Sequence, residues 1–158
     1  MEIGLVILSR WLHILAAAVV VGGVFFVRLV LPAGLAVLQP VDQQAVLLRT
    51  RRRFKPFIHS AILLLIFTGI YNTTLNWEKY KLNPPLLHPL WGTHVLLALA
   101  AFCVAFYVLA GRSLRTNHRL LMAINLTLLI AAIAAASTLK WAREKTVAEH
   151  STPIVEMR

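Results

Sequence analysis

Charged and apolar positions alternate along this chain in long blocks rather than in short periods. Four stretches contain no Asp, Glu, Lys or Arg: residues 11–27, 57–77, 82–111 and 120–139. Crossing the hydrocarbon core of a bilayer takes about 20 mostly apolar residues in a helix. The first stretch is the shortest, but apolar residues extend it on both sides, from Ile3 out to Leu38. The pattern predicts an all-α fold, an integral membrane four-helix up-down bundle with spans at about 5–31, 54–77, 89–111 and 117–140. Residues 1–145 form the transmembrane domain in this reading, and the polar residues from 146 to 158 form a frayed C-terminal tail. The first span is a poor signal peptide, because its leading region holds Glu2 and a single late basic residue, Arg10.

Two connecting segments carry their own signals. Residues 32–55 are too long for a tight turn and predict helical extensions of spans one and two, broken near Gln39-Pro40. Residues 78–89 contain Asn83-Pro84-Pro85 and His88-Pro89 and predict an ordered loop.

Composition supports the membrane reading: 59% of the 158 residues are hydrophobic and the mean hydropathy is +0.74. The net charge of +10 does not point to nucleic acid, because it lies in short segments between spans, where membrane topology accounts for it. The loops between spans one and two and between spans three and four carry Arg28, Arg49, Arg51, Arg52, Arg53, Lys55, Arg112, Arg115 and Arg119 against Asp42. The opposite side carries seven Lys and Arg with five Glu. Counting Lys and Arg alone, and weighting the compact cluster at residues 49–55, the expectation is an inner (cytoplasmic) membrane protein with the arginine loops inside and both termini external. The four tryptophans, Trp11, Trp77, Trp91 and Trp141, fall one per span at the opposite end, the level that Trp favours. The single cysteine, Cys103, reads as a small buried hydrophobe. The lipid bilayer is the expected partner, a redox partner or quinone and a homo-oligomer are compatible with it, and nucleic acid is not expected.

The two halves also resemble each other. Thr74-Leu75-Asn76-Trp77 ends span two, and Thr138-Leu139-Lys140-Trp141 ends span four. Span one holds Trp11-Leu12-His13, and span three holds Trp91-Gly92-Thr93-His94. Both halves run in the same direction, so a repeat axis would lie along the membrane normal.

Ionisable residues inside a span are costly and mark candidate sites. Of six histidines, His150 lies in the tail, His118 in the short loop before span four and His88 in the loop before span three. His13, His59 and His94 lie within spans. At 1.5 Å per residue, His13 sits roughly 12 Å and His94 roughly 9 Å below the tryptophan-side surface, so they are level. Spans one and three stand on a diagonal of an up-down bundle, about 14 Å apart for neighbours at 8–10 Å. That distance is too long for direct contact and suits a metal with an imidazole on each side, inside a flat ring such as haem. Small residues follow on the same faces: Ala17 and Val20 below His13, and Ala98, Ala101 and Ala105 below His94. Arg10, one turn outward from His13, suits a haem propionate or the lipid headgroups. Hydrogen bonding across helices, a bare metal ion and proton transfer are the other readings of the pair. His59 and Met122 approach from the opposite surface and offer a second, weaker ligand pair, with His88 the next candidate ligand. Asn125 reads as an interhelical hydrogen-bonding residue.

At these residues the chain resembles a known group. Trp11-Leu12-His13 followed by Gly22-Gly23 and Arg28, then Arg51-Arg52-Arg53-Phe54 with Thr68-Gly69, then Leu90-Trp91-Gly92-Thr93-His94 closing at Gly111-Arg112, look like the first three helices of the HemJ type of protoporphyrinogen oxidase. The copper-resistance D membrane domain has a similar helix pattern. The resemblance spans most of residues 9–140. It implies a haem b membrane protein acting in electron transfer or in oxidation of a porphyrinogen-like or quinol-like substrate, with His13 and His94 at the membrane histidines of the pattern. The copper-resistance D type implies copper transport or resistance instead. Two positions depart from the HemJ pattern: Leu96 stands where it has a lysine, and Asn125-Leu126-Thr127 where it has a Pro-Thr step. Copper(I) prefers Cys and Met, of which the chain has one and three.

Overall fold

A computed structural model describes residues 2–110 and 118–151. The described residues are helical almost throughout: α1 (Glu2–Phe25), a π-helical turn (Phe26–Val30), α2 (Leu31–Leu35), α3 (Pro40–Tyr80), α4 (Pro84–Ala110) and α5 (His118–Ser151). Four segments are long and apolar enough to cross a membrane, and α1, the π turn and α2 together make one of them. The protein is an all-α four-helix membrane bundle. Arg112, Arg115 and residues 152–158 lie outside the described residues.

Proline chemistry sets the helix boundaries. Pro32 has no N–H for the Arg28 carbonyl and its ring crowds that turn. The chain widens there into the π turn Phe26–Val30 before continuing as α2. Gln39 is extended, with φ −64° and ψ 150°, as a residue preceding proline prefers. Pro40 then opens α3 at a position where the missing donor costs nothing, Asp42 stands in the favourable first turn, and Gln43 Nε2 donates to the Leu38 carbonyl across the break. The predicted interruption at Gln39-Pro40 is where the chain turns.

Three expectations need correction. The 78–89 segment is not a long loop: α3 runs to Tyr80, α4 begins at Pro84, and the Leu86 and Leu87 amides donate to the Asn83 carbonyl. The tail does not fray at residue 146, because α5 continues to Ser151 and Thr146 is buried, docked rather than solvated. His118 is the first residue of α5 rather than part of a loop.

α1 packs most extensively on α3, and α4 on α5, giving two hairpins. Thinner contacts of α1 with α5 and of α3 with α4 close the ring. α1 and α4 therefore stand on a diagonal, as the sequence predicts. Only 22% of the most apolar 18-residue stretch of each span is buried inside the bundle, so most of the apolar surface, including Ile14, Leu63, Phe67, Leu96 and Ile130, faces outward. In water this would be a severe liability; in lipid it is the solvated surface.

The interior divides into two apolar clusters. The larger holds Ala16, Val20, Val24, Ile58, Ile62, Leu65, Ala101, Phe102, Ala105, Met122 and Leu129 among others. The smaller, at the tryptophan end, holds Tyr80, Leu87, Leu139 and Ala142, with Leu90 and Trp91 packed on it. Between them runs a polar belt. There Ser9 Oγ donates to Asn72 Oδ1 at 3.3 Å, Asn76 Nδ2 to the Asn72 carbonyl at 2.7 Å and Trp91 Nε1 to Thr73 Oγ1 at 3.2 Å. His13 and His94 lie in this belt.

Candidate functional site: a pair of anchored histidines

His13 faces inward from α1 because it shares a helix face with Ala16, Ala17 and Val20, the stripe that packs against α3. Its Nδ1 lies 2.8 Å from Thr68 Oγ1 on α3. The Thr68 hydroxyl hydrogen is already used, donated to the Leu64 carbonyl at 2.6 Å. Thr68 therefore accepts from His13, and the proton of the neutral imidazole sits on Nδ1. The ring lies over Gly69, where an added methyl group would meet His13 Cε1 at 3.5 Å, an ordinary contact.

His94 is built in the same way from the other hairpin. Its Nδ1 lies 2.9 Å from the Ala132 carbonyl on α5. A carbonyl only accepts, so His94 also carries its proton on Nδ1. Thr68 and Ala132 occupy matching places, each six residues before the threonine of its Thr-Leu-x-Trp motif. The two hairpins thus repeat one device: a histidine on the first helix tied to one register position on the second.

The consequence is chemical. On both rings Nε2 is left as a lone-pair nitrogen with no hydrogen-bond partner among the described residues. The rings are half-buried. An imidazole whose Nδ1–H is held by a protein oxygen has its tautomer and orientation fixed and its other nitrogen made more basic, which is how metal-ligating histidines are supported. Two such nitrogens have the chemistry of imidazole metal ligands. Among the described residues, no group of three or more His, Cys, Asp or Glu side chains comes together as a metal site.

The residues below the two histidines are closely packed. Val20 and Ala101 are each only 1% exposed, Ala105 is buried, and Ala17 and Ala98 pack on the same cluster. They form the floor of the histidine layer, closing it toward the arginine end, and do not open a slot there. Arg10, one turn outward, is exposed.

The secondary candidates are held elsewhere. The His59 ring lies against Phe106 on α4, centroids 4.8 Å apart. Met122 is buried in the large apolar cluster. His88 is exposed and stacks on Trp77 at 5.8 Å with the planes 12° apart, at the rim above the histidine layer. Cys103, expected to be buried, is exposed and turned away from the interior. Asn125, expected to bond between helices, is 1% exposed with its Oδ1 unpartnered among the described residues.

Sequence reasoning missed Thr68 and the Ala132 carbonyl as the groups that orient the histidines. The signal was present in the repeat: aligning the two Thr-Leu-x-Trp motifs brings those two positions together. No family model, curated protein or solved structure matches the chain.

Proposed function

We propose that this protein binds one haem b between His13 and His94 and works in membrane electron transfer, taking electrons from a reduced, membrane-dissolved donor of the quinol or porphyrinogen class. The observation that carries the reading is the pair of Nδ1-anchored imidazoles on diagonal helices, each presenting a bare Nε2 in the same polar layer. The resemblance of the histidine motifs to HemJ-type proteins points the same way.

In this reading His13 and His94 hold the iron, and Thr68 and the Ala132 carbonyl hold the histidines. Haem supplies one-electron chemistry when bound. The packed floor of Val20, Ala101 and Ala105 separates the site from the arginine end, and the lipid-facing surface keeps bulk water from its sides. Copper handling fits the chain less well: Cys103 is turned outward and Met122 is enclosed by the apolar cluster, so neither soft ligand accompanies the histidine pair.

The test is an oxidised and a dithionite-reduced absorption spectrum of the detergent-purified protein, with haem and copper measured per chain. A Soret band with split reduced bands and one haem per chain is the expected result. Copper without a Soret band supports the copper reading, and neither points to a structural subunit.

A further inference from the structure

The other end of the bundle carries a feature that the histidine site does not use. α3 has 41 residues and is about 60 Å long at 1.5 Å per residue, twice the roughly 30 Å hydrocarbon core. Its charged segment, residues 49–55, immediately precedes the uncharged stretch 57–77 and so stands at headgroup level. On one face, Val46, Arg49, Thr50 and Arg53, three of them exposed, line a shallow cavity of about 250 Å³ that is open to the surroundings. These positions follow the i, i+3, i+4, i+7 spacing that stacks side chains on a helix. A second cavity, about 60 Å³, lies on the adjoining face. It is walled chiefly by apolar side chains from both hairpins, among them Val24, Val27, Leu47, Phe54 and Ala105. Thr50 lines both cavities. The Arg51 guanidinium, in the wall of the second, donates to the Val108 carbonyl at 2.5 Å near the end of α4.

Among the described residues, the three ion pairs, Lys81–Glu78, Lys140–Glu144 and Lys145–Glu149, all lie at the tryptophan end. Arg49 and Arg53 have no ion pair among the described residues. The sole carboxylate in the sequence at the arginine end is Asp42, seven residues and about 10 Å along the helix from Arg49. Two guanidiniums and a hydroxyl beside an apolar cavity, at the depth of the headgroups, match an anionic amphiphile.

We propose that Arg49, Thr50 and Arg53 hold the phosphate of one anionic phospholipid, with the first methylenes of an acyl chain entering the adjoining apolar cavity. At about 60 Å³ that cavity takes the start of a chain, and the remainder lies along the bundle in the bilayer.

The experiment is native mass spectrometry of the full chain in mild detergent, titrated with phosphatidylglycerol, with phosphatidylcholine, and with phosphatidylglycerol in the presence of inorganic phosphate. The wild type is expected to take up one phosphatidylglycerol in preference to phosphatidylcholine, with no displacement by phosphate. The double variant R49Q/R53Q should bind it roughly thirtyfold more weakly, the equivalent of about 1 kcal/mol for each of two charges. The double variant R52Q/K55Q removes the same charge from the opposite face of α3 and should stay close to wild type. Equal uptake of phosphatidylcholine overturns the proposal. So does displacement by phosphate, which would make this a free-phosphate site, or an equal loss in both double variants, which would reduce it to diffuse surface charge.

Discussion

Replacing Thr68 with valine keeps the shape of a buried side chain and removes one hydroxyl. That hydroxyl accepts the His13 Nδ1–H at 2.8 Å while donating to the Leu64 carbonyl at 2.6 Å. The carbonyl stays within the helical ladder, so the principal loss falls on His13, left with an unsatisfied donor in a half-buried layer. Leaving such a donor unpaired costs about 1–3 kcal/mol, and removal of an outer partner of a ligating histidine costs about 10–100-fold in metal affinity. The two ranges agree, since about 1.4 kcal/mol is tenfold. The assay is retention of haem per chain through purification, followed by titration of haem into the depleted protein. T68V should bind haem about 10–100-fold more weakly than wild type. T127V and T138V are the controls. Those threonines make the same back-bond, to the Ala123 and Ala134 carbonyls at 3.1 and 3.0 Å, but are exposed and orient no histidine. If T68V binds haem as the wild type does, or if the controls lose as much, Thr68 does not orient a ligand and the tautomer argument is wrong.

Other predictions concern packing, topology and the remaining histidine. A methyl group on Gly23 would fall 2.5 Å from Phe54 Cε1 and 3.1 Å from Ile58 Cδ1, whereas one on Gly22 meets nothing within 4 Å; thermal unfolding in detergent should show G23A destabilised by about 1–3 kcal/mol and G22A unaffected. With Cys103 replaced by serine, a cysteine at Asn83 should be labelled by an impermeant maleimide from outside intact cells, and one at Gln43 should not; labelling of Gln43 alone would reverse the orientation derived from the positive charges. H59A removes the ring packed on Phe106 and should leave the haem spectrum unchanged, so a loss of low-spin character there would move a ligand to α3.

What the sequence made legible followed from rules that need no tertiary information. Uncharged length gave the four spans. The missing N–H of Pro40 marked the break between α2 and α3. Equal depth counted from the surfaces placed His13 and His94 in one layer, and up-down connectivity placed α1 and α4 on a diagonal. What stayed hidden depends on how each helix is rotated about its axis. α4 is apolar around its whole circumference, so no periodicity announces that Cys103 and Leu96 face outward, Leu96 at 69% exposed. The same ambiguity hid the packing of Ala101 and Val20 into a floor. The length of α5 past Trp141 was obscured for another reason: hydropathy falls there, but burial of Ala142 and Thr146 against the bundle sustains the helix. A backbone carbonyl such as that of Ala132 leaves no trace in side-chain identity, and only the repeat could have indicated it.

The most direct measurement is the low-temperature electron paramagnetic resonance and optical spectrum of oxidised H94A beside the wild type. His94 is the proposed ligand whose partner on the protein is the Ala132 carbonyl, so its substitution to alanine leaves no competing side chain at that position. Loss of one of two axial imidazoles lowers the coordination from six to five, and the spectrum should change from low to high spin, or the haem should be lost. A wild-type low-spin spectrum from H94A would contradict the bis-histidine assignment and make His88, six residues earlier on α4, the next ligand to test.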